Sequence, residues 1–231
     1  MLDKEYFEKA TQLLGVKVDD VKIAKFDKYK DLLLEWNEKI NLTAITEEKD
    51  IIIKHFTDSL TCLKYIDDNA SILDVGTGAG FPGVPLKIMR DDCDITLLDS
   101  LNKRIKYLND VIDKLNLQKI SAIHGRAEEL GKKKEYREKF DIVTARAVAN
   151  MRVLSEYCLP FVKIGGSFIA MKGSNVEEEL KEAESVIEKL GGKVENVEKI
   201  VLNSNEEIIH HIVEIKKIKN TPNDYPRRIV K

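Results

Sequence analysis

Three cysteines, five prolines and one tryptophan among 231 residues leave little room for several classes of protein. Cys62, Cys93 and Cys158 are odd in number and stand 31 and 65 residues apart, which fits neither a disulfide framework nor a zinc spacing. Reduced core thiols are expected, and no metal. No apolar run exceeds five residues, far short of the roughly 20 that span a bilayer. The opening MLDKEYFEKATQLLG carries charge in every turn, so neither a membrane helix nor a secretory leader is expected. The setting that follows is cytoplasmic, without a membrane partner. Charge of one sign is also scarce: the net charge is −2, which by itself announces no nucleic-acid partner. What is present is 43% apolar residues, enough to bury a full core, most simply as one domain with an added element.

The charge is unevenly spread. Residues 1–50 hold nine Lys and twelve Asp or Glu, whereas the stretch from Ile215 onward holds Lys216, Lys217, Lys219, Arg227, Arg228 and Lys231 against Asp224 alone. A smaller basic group, Lys103, Arg104 and Lys106, directly follows Asp99. Each cluster is either a solvated face or a phosphate-contacting surface.

Over residues 1–67 the periodicity is helical. Phe26, Tyr29, Leu33, Trp36 and Ile40 step by three and four and form one apolar stripe, which makes Trp36 a core anchor. After an N-L-T turn at 41–43, Thr46-Glu-Glu-Lys opens a second helix with Ile52, His55, Phe56, Ser59 and Leu63 on roughly one side. From Ser71 the pattern becomes short β-rich runs alternating with helices, the mark of α/β architecture with parallel strands. Strands are expected at 72–75, 94–99, 120–124, 140–145 and 166–171. Helices are expected at 82–90, 102–115, 126–130, 151–159 and 176–190. Two further runs, 193–202 and 208–218, are joined by a short Asn-Ser-Asn turn. They must form an antiparallel hairpin, because a parallel return needs about a dozen residues. The expected division is a helical extension over 1–67, a core over 68–218 and a basic tail over 219–231.

Between the first strand and the next helix lies ILDVGTGAGFPG, from Ile72 to Gly83. The dinucleotide fingerprint G-x-G-x-x-G fails here, because Phe81 occupies the third glycine's place. Asp74, two residues before Gly76, would face a diphosphate with like charge. A glycine-bare loop with an acid at its entrance suits a cationic or zwitterionic nucleoside such as S-adenosylmethionine, with Gly78 giving close backbone approach. Asp99, at the end of the second strand, is placed to accept from both hydroxyls of a ribose; its alternative role is a helix cap. His124 is not expected to be catalytic.

LDVGTGAGFPGVPLK, LLDSLNKRIKYL, FDIVTARAVA and the upstream WNEKINLTAI and KHFTDSL together resemble the RsmG (GidB) family, over nearly the whole chain. The resemblance implies a class I, Rossmann-like methyltransferase fold: a mostly parallel seven-stranded sheet ending in an antiparallel hairpin, with an N-terminal helical extension. It implies S-adenosylmethionine as cofactor, and methylation of guanine nitrogen-7, conventionally nucleotide 527, in 16S ribosomal RNA. By similarity Gly76, Phe81, Ala127, Glu128 and Arg146 fall on cofactor-contacting positions. The partner implied is 16S RNA or a small-subunit assembly particle. The sequence leaves the oligomeric state open, with a monomer favoured.

The fourth strand is consistent through what it lacks. It ends Thr144-Ala145-Arg146-Ala147-Val148, without the Asn/Asp-Pro-Pro-aromatic motif common to amine methylation of bases, and without the cysteine that pyrimidine carbon-5 methylation needs. Guanine nitrogen-7 has a free lone pair, so attack needs alignment more than deprotonation. No general base is expected, and Arg146 is the expected positioning residue, with a structural ion pair as its plainer reading. Lys103, Arg104, Lys172, Arg227 and Arg228 are the candidate RNA contacts. A methyltransferase acting on another RNA or on a small molecule, a nicotinamide-dependent oxidoreductase and a non-enzymatic cofactor-binding module are the competing readings.

Overall fold

In the computed structural model, which describes residues 1–146, 149–203 and 207–227, seven strands follow residue 70. They are β1 (Ser71–Val75), β2 (Asp94–Asp99), β3 (Ile120–His124), β4 (Phe140–Arg146), β5 (Val162–Lys172), β6 (Gly192–Asn203) and β7 (Glu207–Lys217). They form one sheet in the order β3-β2-β1-β4-β5-β7-β6. The first five run parallel, and β7 pairs antiparallel with both β5 and β6. This is the mostly parallel sheet with a terminal hairpin that the sequence pattern and the family resemblance lead one to expect. The Asn-Ser-Asn turn runs into residues 204–206, outside the described residues.

Alternation along each strand sends side chains to opposite faces. Ile72, Ile142, Ile169 and Ile212 join one buried cluster, while Leu73, Val143, Phe168 and Val213 join another. Each face is covered by helices, as a parallel sheet requires. The second face carries α7 (Ala127–Leu130), α8 (Met151–Cys158) and α9 (Val176–Lys189). The first carries α5 (Gly83–Met89), α6 (Asn102–Lys114) and the helices that precede the sheet, α1 (Lys4–Gln12) and α2 (Asp20–Ile40). Their common core includes Phe7, Phe26, Tyr29 and Phe56, with ring centroids 4.9–6.1 Å apart in their contacts. Trp36 packs edge-on against Tyr107 and its ring N–H donates to Asp110 at 2.8 Å, the core role expected of it.

The segment after the N-L-T turn departs from its amphipathic reading. A short α3 (Glu48–Asp50) runs into a π-helical stretch, Ile51–Thr57, and then α4 (Asp58–Leu60). Its residues are buried on nearly every side, from Ile51 through Leu60 with Lys54 the half-buried exception. A helix buried all round has no single apolar stripe to read, and the wider π turn shifts the faces further; such turns are frequent at functional sites. No helix among the described residues is long and apolar enough to cross a membrane.

Residues 219–227 are not a solvated end. Thr221 and Tyr225 are buried, and the Arg137 guanidinium donates to the carbonyls of Tyr225 (2.8 Å), Thr221 (2.7 Å) and Pro222 (3.0 Å). Arg228 and Lys231 lie outside the described residues.

Candidate functional site

The sheet order reverses between β1 and β4: β2 and β3 lie to one side, β4 and β5 to the other. In an open α/β sheet the crevice beyond the carboxyl ends of the strands at such a switch point is where ligands bind. The glycine loop leaves β1 there, and Arg146 ends β4.

The loop is held by backbone and by two acids. Gly76 and Thr77 donate to the Leu98 carbonyl at 2.8 and 3.1 Å. Gly76 and Gly78 sit at φ of +69° and +61°, a left-handed region glycine enters freely. A Cβ on Gly78 would meet nothing nearer than the Gly76 oxygen at 3.9 Å, whereas one on Gly80 would lie 2.7 Å from the Tyr29 hydroxyl and 2.7 Å from Val84 Cγ2. The same loop therefore has an open side at Gly78 and a packed side at Gly80. Tyr29, from α2, donates to the Ala79 carbonyl at 2.6 Å, so the preceding helices brace the loop directly.

Asp74 is fully buried. Its Oδ2 accepts from the Thr77 hydroxyl at 2.6 Å and the Gly83 amide at 2.9 Å, and its Oδ1 from the Thr144 hydroxyl at 3.3 Å. Burial pushes its carboxyl up to about 6, against those stabilising bonds. Fully buried and bonded to both ends of the loop, Asp74 shapes the Gly76–Gly83 turn from beneath. Asp99, 2% exposed, accepts from the Gly78 amide at 3.0 Å and Arg104 at 3.2 Å on Oδ2, and from the Leu101 amide at 2.8 Å on Oδ1. It closes the turn ahead of α6, whose N-cap, Leu101, has no side-chain cap bond, and fixes the loop at once, with acceptor capacity left on Oδ1. Beyond it, the Gly125 amide donates to the Asp99 carbonyl at 3.0 Å, which brings Ala127 and Glu128, at the start of α7, to the same edge.

Around Phe81 the site becomes ionic. The His55 ring stacks on Phe81 with centroids 4.5 Å apart, and the Arg146 guanidinium carbon lies 5.0 Å from the same ring centre. Arg146 donates to the Lys54 carbonyl (2.9 Å) and to Asp58 (2.8 Å), and its second terminal nitrogen lies 3.2 Å from His55 Nδ1. A guanidinium only donates, so Nδ1 is the acceptor and the ring proton sits on Nε2, donating to the Thr43 hydroxyl at 2.8 Å. The 3.2 Å approach of the Lys54 carbonyl to Nδ1 is then a contact. Burial, reinforced by the Arg146 charge, pulls His55 down to about 4, so the imidazole is neutral at physiological pH.

Gly76, Gly78, Phe81, Asp74, Asp99 and Arg146 thus meet at one edge, with Ala127 and Glu128 beside them. The RNA candidates are more scattered. Lys103 and Lys106 are exposed on the first turns of α6, but Arg104 is paired with Asp99. Lys172 lies 2.7 Å from Glu179 and donates to the Ala149 carbonyl at 2.9 Å. Arg227 is paired with Glu156. Sequence reasoning gave no role to Asp58 or His210, which meet Arg146 from 88 residues before it and, through Asp58, from β7. The one available signal was the His-x-x-Asp spacing of His55 and Asp58.

The chain matches the family model GidB, described as rRNA small subunit methyltransferase G, over residues 22–209. It is 53% identical over 228 residues to the ribosomal RNA small subunit methyltransferase G of Alkaliphilus oremlandii, covering 97% of this chain and 95% of that one. It is 50% identical over 229 residues to the protein of the same name from Clostridium perfringens, again covering 97% and 95%. Among solved structures, the precorrin-6y C5,15-methyltransferase of Geobacter metallireducens aligns with a TM-score of 0.54 at 16% identity, covering 75% of this chain and 90% of that one; at that identity the likeness concerns the fold.

Proposed function

This chain belongs to the GidB family, rRNA small subunit methyltransferase G, and on that premise we propose that it methylates nitrogen-7 of a guanine, nucleotide 527, in 16S ribosomal RNA. The observation that carries the nitrogen-7 reading is the state of the titratable groups around Phe81. Asp74 and Asp58 are buried and hydrogen-bonded within the protein, and both His55 ring nitrogens are engaged. An amine nucleophile needs a proton acceptor; a ring nitrogen with a free lone pair needs alignment, which in favourable cases contributes about 7–11 kcal/mol.

The residues present fit S-adenosylmethionine. Gly78 leaves an open side that a Cβ would enter, and Asp99 keeps an acceptor position on Oδ1 for a ribose hydroxyl. When bound, the cofactor supplies an electrophilic methyl carbon on its sulfonium. Gly76 and Gly78 would hold it at the loop, Ala127 and Glu128 would contact it from the start of α7, and Phe81 with Arg146 would lie beside it. Arg146 orients and does not stabilise charge, because the methylated guanine is itself cationic. Residues 1–67 are the helical extension packed on this core, residues 68–218 the transferase core itself, and residues 219–231 its basic tail. The protein acts as a cytoplasmic monomer on 16S RNA or an assembling small subunit.

Calorimetry with S-adenosylmethionine and with NAD, followed by incubation with methyl-labelled cofactor and either free 16S RNA or small subunits, tests the reading. Binding of the first nucleotide alone, with label entering RNA, supports it. NAD binding without S-adenosylmethionine binding contradicts it.

A further inference from the structure

Arg146 is anchored, through Asp58, by a second residue that reaches the site from two strands away on the same face of the sheet. Asp58 is 1% exposed. Its Oδ2 receives Arg146 at 2.8 Å and its Oδ1 lies 2.6 Å from His210 Nδ1. His210 belongs to β7, and the register explains its reach. Arg146 of β4 pairs with Met171 of β5, which pairs with Ile212 of β7. His210, two residues further along β7, shares the face of Ile212 and stands just past the level of Arg146, on the side covered by the π-helical segment. The terminal hairpin thus delivers an imidazole to the carboxylate that holds Arg146.

We propose that Asp58 and His210 are positioning residues for methyl transfer: His210 fixes the Asp58 carboxylate, and Asp58 fixes the guanidinium of Arg146 beside Phe81. This rests on the reading that places Arg146 at the reacting centre. A buried carboxylate with one oxygen on Arg146 and the other unpaired would rotate or draw in water, and the guanidinium would turn with it. His210 removes that freedom. It does so in either charge state, because the imidazolium and the neutral Nδ1–H tautomer both donate from Nδ1. The other charged or titratable groups acting on the cluster are His55, held neutral against Arg146, the Asp50–Lys54 pair on the same helical segment, and the buried Asp74, Cys62 and Tyr29. None of these donates to Asp58 Oδ1 among the described residues.

The test compares His210→Leu, which removes the donor, with His210→Asn, whose amide nitrogen stands as many bonds from Cβ as Nδ1 does. Arg146→Ala is measured in parallel. Each variant is assayed for single-turnover methyl transfer at saturating cofactor and RNA, for RNA affinity by anisotropy, and for thermal stability. The expected result is a transfer rate reduced about tenfold or more in His210→Leu, equivalent to ~1.4 kcal/mol of barrier. His210→Asn should recover most of that loss, and RNA affinity should be unchanged in both. Wild-type transfer by His210→Leu overturns the proposal, as does equal impairment of the Leu and Asn variants. A fall in RNA affinity would make His210 an RNA contact and overturn it too. If Arg146→Ala itself transfers normally, the reading of Arg146 has failed and the positioning role falls with it; if Arg146→Ala is impaired while His210→Leu is not, only the positioning role falls.

Discussion

Two glycines of one loop, Gly78 and Gly80, are expected to fail in opposite ways when changed to alanine. At Gly78 the new methyl meets no atom within contact beyond the Gly76 oxygen at 3.9 Å, so the cost to the fold is the left-handed backbone alone, about 1–2 kcal/mol. For a chain of this size each kcal/mol lowers Tm by about 2–4 °C, so a loss of roughly 2–8 °C is expected. The methyl projects into the side left open for the cofactor, and S-adenosylmethionine affinity should fall about tenfold or more, ~1.4 kcal/mol. At Gly80, φ is +98° and the methyl would lie 2.7 Å from both the Tyr29 hydroxyl and Val84 Cγ2, and 3.1 Å from Leu108. Backbone strain of about 1–3 kcal/mol adds to overpacking of about 1–3 kcal/mol, and Tyr29 loses its place on the Ala79 carbonyl. Gly80→Ala should therefore melt well below Gly78→Ala. Calorimetric titration and thermal melts of the two variants side by side decide it. Normal cofactor binding by Gly78→Ala, or equal melting temperatures for the pair, would refute the division of the loop into an open and a packed side.

Asp99→Ala should weaken cofactor binding by about 1.5–3 kcal/mol, the loss of hydrogen bonds to a charged group; unchanged affinity in a folded variant would remove Asp99 from the site. His55 ionises near 4 in the fold and near 6.5 unfolded, so it contributes stability above pH 6.5 that is lost as pH falls through about 4, in all about 3 kcal/mol. Asp74, raised to about 6, works in the opposite sense over an overlapping window, so the quantity to measure is the wild-type stability–pH curve minus that of His55→Gln. A flat difference contradicts the neutral, buried imidazole. Replacing Lys103 and Lys106 together by alanine should lower the dependence of log affinity for RNA on log salt by about 1.4, from about 0.7 per phosphate contact on single-stranded RNA; an unaltered slope places the RNA surface elsewhere.

The parts of this structure that sequence made legible are those encoded locally. The loop from Gly76 to Gly83 announces itself because glycine alone tolerates its backbone, and the Asp99 position follows from strand and spacing. The five parallel strands and the hairpin follow from alternation and connection length. The π-helical segment was not legible, since a buried helix has no polar face to set its period. The purpose of Asp74 was legible only in part: a carboxylate at the loop entrance suggested the ligand's charge, while the structure gives it Thr77, Gly83 and Thr144 as partners. Most hidden was the Asp58–Arg146–His210 cluster, whose members are 88 and 152 residues apart in sequence. The ion pairs of Lys172 and Arg227, two of the candidate RNA contacts, were hidden for a similar reason, because their partners Glu179 and Glu156 are assigned by folding and not by any motif.

The central claim, that this edge of the sheet directs a methyl group to nitrogen-7 of one guanine, is tested most directly by the chemistry of the product. Guanine methylated at nitrogen-7 is cationic and, once reduced with borohydride, its glycosidic bond breaks and aniline cleaves the chain there. Unmethylated 16S RNA, treated with the protein and S-adenosylmethionine and then with borohydride and aniline, should show one new cleavage, at nucleotide 527, absent without cofactor and reduced with Arg146→Ala. Methyl label in the RNA with no such cleavage would mean that another atom of the RNA receives the methyl group, and the account of an aligned, base-free transfer to nitrogen-7 would be wrong.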